Sequence, residues 1–206
     1  MVDVSIIVVS YNSEAHICAC IESVLKQQGV TFEIIVVDNN SQDNTVAIIK
    51  SFDDHVQLIC SDINHGFAKG CNIAALRARG RYLYFLNPDA RIAQNNALQV
   101  MSQYMADHSQ CGFLGARVAK NAQHRGILPR KISHGEQYLG PIFADLPGSI
   151  VWVTGASMII SRPLFQQLNG FDEDFFCTKR MMIYVCVFAR LDIVVLVLVL
   201  NNLIWR

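Results

Sequence analysis

The sequence predicts an α/β domain built on an open, mostly parallel sheet, and three observations carry that prediction. Apolar runs of strand length recur at Val4 to Val9, Phe32 to Val37 and Tyr82 to Leu86, with a weaker run at Val56 to Cys60. They lack the polar alternation of a sheet with one wet face, so they suit strands covered on both sides. Segments of helical spacing lie between them, giving β-α-β-α-β-α-β, the pattern of parallel strands joined by right-handed crossovers. Composition agrees: 52% hydrophobic and 17% charged residues in a chain of 206 fit one domain with a buried sheet and exclude a disordered chain.

The elements follow in order. Met1 to Ile7 has neither a basic region nor a small-residue cleavage site, so its apolar residues read as a first strand rather than a secretion signal. From Glu14 to Gln27 the residues Ile17, Cys20, Ile21, Val24 and Leu25 fall on one helical stripe, with Asn12 or Ser13 placed to cap it. Asn44 to Phe52 and Ala68 to Arg79 predict two more helices, the second closing at Gly80. Lys69 at the start of that helix either reaches a bound diphosphate or lies in solvent. Asn121 to Pro147, aperiodic with scattered Gly and Pro, reads as a loop beside the site. Arg162 to Asn169 reads as a short helix stopped by Gly170. Seven cysteines without a Cys-x-x-Cys pair fit a reduced, cytoplasmic chain. Seventeen basic residues balance seventeen acidic ones, so no bulk charge draws the protein to nucleic acid.

Ligands of such sheets bind past the carboxyl ends of the strands. Here those ends read Ser10-Tyr-Asn-Ser13, Asp38-Asn-Asn-Ser-Gln-Asp43, Asp62-Ile-Asn-His-Gly66 and Asn87-Pro-Asp89. Asn and Asp are turn formers, which explains any one of these loops; four of them converging on one edge mark a site. Neither Gly-x-Gly-x-x-Gly nor a Gly-x-x-x-x-Gly-Lys loop is present. A diphosphate bound here therefore lacks a glycine cradle, and a metal held by one or two carboxylates is the usual counter-charge. Asp89, set by Pro88 at the end of an apolar strand, is the candidate ligand.

These blocks resemble the family 2 glycosyltransferases of the GT-A fold, in particular the branch that includes rhamnosyltransferases of bacterial surface polysaccharides. The residues that carry the resemblance are Val4-Ser-Ile-Ile-Val-Val-Ser-Tyr-Asn12, Ile35-Val-Val-Asp-Asn-Asn-Ser-Gln-Asp43, Asn64-His-Gly-Phe-Ala-Lys-Gly-Cys-Asn72, Phe85-Leu-Asn-Pro-Asp89, and Val153-Thr-Gly-Ala156 through Gly170-Phe-Asp-Glu173. The resemblance implies a Rossmann-like three-layer α/β/α domain over residues 1–176. It implies that Tyr11 and Asn12 line a base pocket and that Asp38 accepts a hydrogen bond from the imide N–H of uracil or thymine. Asn64, Gly66, Asn72 and Asn87 would lie along the ribose and diphosphate. Asp89 would bind Mg2+ or Mn2+, which stabilises the diphosphate leaving group. Asn87-Pro88-Asp89 replaces the commoner Asp-x-Asp and so weakens metal binding without nucleotide. Thr154, Gly155 and Asp172 would lie on the acceptor side.

The same resemblance implies an acidic base motif soon after Phe176, to take the proton of the acceptor hydroxyl. The chain has Cys177-Thr-Lys-Arg-Met-Met-Ile-Tyr-Val-Cys186 there, and no carboxylate stands between Asp174 and Asp192. The last base of the Met181 codon with the first two of Met182, and the last base of Met182 with the first two of Ile183, must give two consecutive Asp. Residues 177–206 are therefore expected to be an out-of-frame hydrophobic tail. The competing reading of its apolar end is a buried strand or a membrane-surface contact.

The function expected is inverting transfer of a hexose from a UDP- or dTDP-sugar to a glycan or lipid-linked acceptor, in the cytoplasm at the inner face of the membrane. This chain, without its base, is expected to bind donor and to transfer poorly. The alternatives are an inactive nucleotide-sugar-binding remnant and a nucleotidyltransferase.

Overall fold

The computed structural model describes residues 2–109, 111–115, 118–119, 131–132, 150–151, 153–154, 157–174, 182–183 and 203–205. Its centre is a six-stranded sheet. Strands β1 (Val4–Ser10), β2 (Phe32–Asp38), β3 (Val56–Cys60) and β4 (Tyr82–Leu86) pair in parallel, in the order β3-β2-β1-β4. A strand at Ser157–Ser161 adds antiparallel to β4. A short edge strand Phe113–Gly115 pairs antiparallel with that strand in turn. Strand β5 (Ala90–Ile92) follows the β4 turn outside this sheet.

Alternation along the strands divides the core in two. Ile6, Val8, Ile34, Val36, Tyr84 and Leu86 point to one face, where they meet Ile17, Cys20, Ile21 and Val24 of α1 (Ile17–Leu25) and Leu98 and Met101 of α4 (Ala97–Asp107). Ile7, Val9, Ile35, Val37, Leu83 and Phe85 point to the other, against Phe67, Cys71 and Ala74 of α3 (Gly66–Ala75) and Phe165 of α5 (Arg162–Gln167). A period of two sends successive side chains to opposite faces, so an unbroken apolar strand needs helices on both. The three-layer arrangement and the mostly parallel sheet are those expected.

Several local expectations are corrected. Helix α1 begins at Ile17, three residues later than its stripe suggested, and neither Asn12 nor Ser13 caps it with a side chain. Asn12 sits at φ 47° and its Oδ1 accepts from Gln42 N at 2.8 Å instead. The second helix, α2, spans Thr45–Lys50, and α3 ends at Ala75 rather than running to Arg79. Gly80 is therefore not its cap; a Cβ at Gly80 would collide with the backbone of Ser5, so glycine is there for close approach to β1. Gly170 does close α5, at φ 77° with its N–H donating to Phe165 O at 2.9 Å.

Helix α4 and strand β5 carried no sequence signal that singled them out. They are mounted on α1: Ser23 Oγ accepts from Ile92 N at 3.0 Å, and Gln27 Oε1 accepts from Leu98 N at 3.1 Å. Of the Asn121 to Pro147 loop only Lys131–Ile132 is described, paired with Ile150–Val151. Of residues 177–206, the backbone pairs Met182–Ile183 with Val153–Thr154, and Leu203–Trp205 with β5 and Val118–Ala119. Gly155 lies outside the described residues.

Candidate active site at the carboxyl edge of the sheet

The parallel strands bring the expected loops to one edge. Ser10 of β1 lies beside Asp38 of β2, and Val8 beside Leu86 of β4, so the residues after Leu86 emerge level with Asp38 across β1. Asn12, Asp38, Asn64, Gly66, Asn87 and Asp89 are thus gathered at one edge, although their loops are far apart in sequence.

Asp38 is 1% exposed and fully engaged on one oxygen. Its Oδ1 accepts from Ser10 Oγ at 2.9 Å and from Ser41 Oγ at 2.6 Å, while Oδ2 accepts from Ser41 N at 2.8 Å. A carboxylate offers about four acceptor positions, so one remains, on Oδ2. Ser10 was not singled out in the sequence, yet a hydroxyl ending an otherwise apolar buried strand must find a partner, which was the available signal. Asn39 is also buried; its Nδ2 donates to Gly66 O at 2.9 Å and ties the β2 loop to the start of α3, while its Oδ1 has no partner. Asn64 Oδ1 accepts from Gly66 N at 2.9 Å and shapes the same corner.

The loops after β1 and β2 are stitched together. Asn12 N donates to Ser41 Oγ at 2.9 Å, and Ser13 N to Thr45 Oγ1 at 2.7 Å. Asp43 Oδ2 accepts from Glu14 N at 3.1 Å, and Glu14 Oε2 in return accepts from Asn44 N at 3.0 Å. Each carboxylate satisfies the other loop's amide as helix caps ordinarily do within one helix. Tyr11 stands above this bracket with 49% of its surface exposed, a free aromatic face at the rim.

At the end of β4, Asn87 is buried and Asp89 half-buried, and each has a side-chain oxygen, Oδ1 in both, that is buried without a partner. Burial raises the Asp89 carboxyl above its usual range, against the opposing pull of its own backbone N–H, the nearby His16 and a hydrogen bond from Asn87. Two partnerless oxygens, one of them anionic, are what a hard divalent cation takes as ligands. Among the described residues no group of three or more His, Cys, Asp or Glu is placed to hold a metal. Such an ion would therefore draw its remaining oxygens from a bound diphosphate and water. The residues present fit that arrangement.

The acceptor-side residues are placed unevenly. Thr154 lies in the short strand Val153–Thr154, described as backbone. Asp172 is exposed, and its Oδ1 accepts from Asp174 N at 3.0 Å within the turn. Asn72 has its amide directed at Phe171 and Glu173.

An open α/β sheet with its polar loops gathered at the carboxyl edge is the class of fold that binds ligands at that edge. A family profile described as Glycosyl transferase family 2 matches residues 5–169, and the chain belongs to that family. The succinoglycan biosynthesis protein ExoO of Rhizobium meliloti (strain 1021) is 36% identical over 109 residues, 52% of this chain and 31% of that protein. An Escherichia coli protein named UDP-Glc:alpha-D-GlcNAc-diphosphoundecaprenol beta-1,3-glucosyltransferase WfgD is 31% identical over 136 residues, 65% of this chain and 54% of that one. The chain thus spans about a third to a half of these curated relatives. Among solved structures, Staphylococcus aureus TarS 1-349 in complex with UDP superposes with a TM-score of 0.69 at 21% identity, covering 98% of this chain and 59% of that one. The mannosyltransferase PcManGT of Pyrobaculum calidifontis, solved with GDP-Man and Mn2+, gives 0.64 at 18% identity over 83% of this chain and 48% of its own. Both likenesses show the GT-A fold.

Proposed function

We propose that this chain is the donor-binding domain of a glycosyltransferase that takes a UDP- or dTDP-sugar with Mg2+ or Mn2+. Its acceptor is a glycan or lipid-linked saccharide of a surface polysaccharide, met at the inner face of the membrane, and the sugar is a hexose such as rhamnose. The observation that carries this reading is the pairing, across β1, of the Asp38 bracket with the partnerless oxygens of Asn87 and Asp89. The names of the E. coli relative, with its UDP-sugar and diphosphoundecaprenol, and of the UDP-bound TarS structure support it. Among the described residues no helix is long and apolar enough to cross a membrane.

In this reading Tyr11 stacks on the base from the rim and Asn12 borders it. The imide N–H takes the acceptor position left on Asp38 Oδ2 once the Ser41 turn moves aside. Asn64 and Gly66 run beside the ribose and diphosphate, while Asn87 and Asp89 hold the metal. The metal, when bound, neutralises charge on the departing diphosphate. Thr154, Gly155 and Asp172 border the acceptor. The base that would deprotonate the acceptor is missing from residues 175–191, which contain no carboxylate. We read residues 177–206 as an out-of-frame tail and the chain as one that binds donor and transfers poorly. Sequencing the gene across the Phe175 and Phe176 codons tests the tail: an immediate stop in the restored frame sinks that reading. Turnover equal to that of a full-length relative sinks the second.

The binding itself is tested by thermal shift with UDP, dTDP and GDP, each with and without Mn2+ or Mg2+. Stabilisation by the uridine and thymidine nucleotides that needs the metal, and that disappears in Asp38→Ala and Asp89→Ala, is the expected result. Equal stabilisation in parent and variants refutes the site.

A further inference from the structure

Helix α3 links the two halves of the candidate site. Its first turn follows Asn64 and is tied to the β2 loop through Asn39. Two turns on, the Asn72 amide pairs with both backbone groups of one residue 99 positions away: Oδ1 accepts from Phe171 N at 2.9 Å, and Nδ2 donates to Phe171 O at 2.9 Å. The second N–H of the same amide reaches Glu173 Oε1 at 3.2 Å. Lys69, three residues earlier and therefore on the same face of α3, pairs with the other oxygen of Glu173 at 3.6 Å.

The turn is shaped to receive this grip. Gly170 stands at φ 77°, and a Cβ there would lie 2.5 Å from Asn72 Oδ1, so only glycine lets the backbone come this close. Behind it the Phe171 ring packs edge-on against Phe85 and Phe165, with centroids at 4.9 and 5.0 Å, and lies 6.4 Å from Phe67 of α3. A polar arm and an aromatic arm thus hold the same turn.

This arrangement decides between two roles for Asn72 and Lys69. Phosphate oxygens only accept, so a diphosphate would have to take an N–H from Asn72. Both N–H groups of that amide already donate to the turn. We propose that Asn72 and Lys69 are positioning residues that fasten the Gly170–Asp174 turn to α3 and so fix where the acceptor-side segment leaves the donor-binding sheet. The proposal rests on the donor-binding reading above for its functional meaning, but the fastening is testable without it.

The experiment combines hydrogen exchange by mass spectrometry, on peptides covering 162–174 in the full chain, with calorimetry using UDP and Mn2+. In Asn72→Ala we expect exchange at the turn to rise about tenfold, from the loss of its half-buried hydrogen bonds, with exchange in β1, β2 and β4 unchanged. The UDP dissociation constant should stay within about twofold of the parent value, less than the loss of one charge-assisted hydrogen bond would cause. Lys69→Glu should loosen the turn as well, and Lys69→Glu with Glu173→Lys should recover part of it, since the reversed pair keeps the attraction while Asn72 loses the acceptor Glu173 Oε1. The proposal is overturned if UDP binding weakens about tenfold while the turn is unchanged, which would put Asn72 on the nucleotide. It is overturned equally by exchange rising throughout the sheet, the mark of a merely structural residue, or by a swap no better than the single reversal. Should Asn72→Ala fail to fold, the charge pair decides alone. A parent chain that binds no nucleotide refutes the donor-binding reading, and the exchange results still judge the fastening.

Discussion

Replacing Asp38 separates what its carboxylate does for the fold from what it does for a ligand. In Asp38→Ala the Ser10 hydroxyl, wholly buried, and the Ser41 N–H lose their acceptor together. Each stranded donor costs about 1–3 kcal/mol, so the pair amounts to about 2–6 kcal/mol, the Ser41 hydroxyl being free to turn to solvent. For a domain of this length about 1 kcal/mol moves Tm by roughly 2–4 °C, which places the alanine variant about 4–24 °C below the parent. Asp38→Asn behaves differently. Its amide oxygen can face Ser41 N while its NH2 donates to the two serine oxygens, whose hydroxyls rotate to accept. The fold then loses only the charge assistance, about 1–2 kcal/mol. The imide contact fails in the alanine variant; in the asparagine variant the amide oxygen stays at the Oδ2 position and still accepts, without the charge. Differential scanning calorimetry and UDP titration in the presence of Mn2+ give both numbers. An alanine variant that melts within about 1 °C of the parent refutes the bracket; an alanine variant that binds UDP with parental affinity refutes the base contact.

Three other outcomes follow from the same geometry. Asp89→Asn should raise the stability of the ligand-free protein at neutral pH, because the carboxyl is held above its usual range by burial. The folded state then binds more protons than the unfolded one, so parental stability falls as pH rises from the ordinary carboxylate range through the raised value. Urea unfolding across pH 3 to 8 should show that slope in the parent and not in the variant, and the variant's UDP binding should cease to depend on Mn2+. Gly170→Ala should cost about 1–3 kcal/mol, from the left-handed backbone and the clash with Asn72; a double-mutant cycle with Asn72→Ala should recover the clash part alone. Phe85→Ala, fully buried between Phe165 and Phe171, should cost about 3–5 kcal/mol by chemical denaturation, against less than about 0.5 for the exposed His55→Ala.

Much of the carboxyl edge of the sheet could be read from the chain because its signals are local. A strand buried on both faces must be apolar throughout, and the turn at its carboxyl end must be polar, so β1, β2 and β4 and their loops appear as text, while the half-exposed edge strand β3 gives a weaker run. Helix termini were harder, since the expected caps Asn12 and Ser13 were taken by the neighbouring loop. Glu14 and Asp43 cap across two elements, a relation that no spacing along one helix encodes.

The sequence by itself determined the layered α/β architecture and the polar loops at the carboxyl edge of its sheet, Asp38 and Asp89 among them. Those follow from periodicity and from chemistry confined to a few neighbouring positions. Only the tertiary structure decided which partners each group meets: Asp38 held by Ser10 and Ser41, Asp89 left with a partnerless oxygen, and Asn72 gripping Phe171. A side chain's partners depend on which distant backbone groups arrive beside it. For Asn72 those groups come from 99 residues away, at a distance along the chain over which no local pattern carries information.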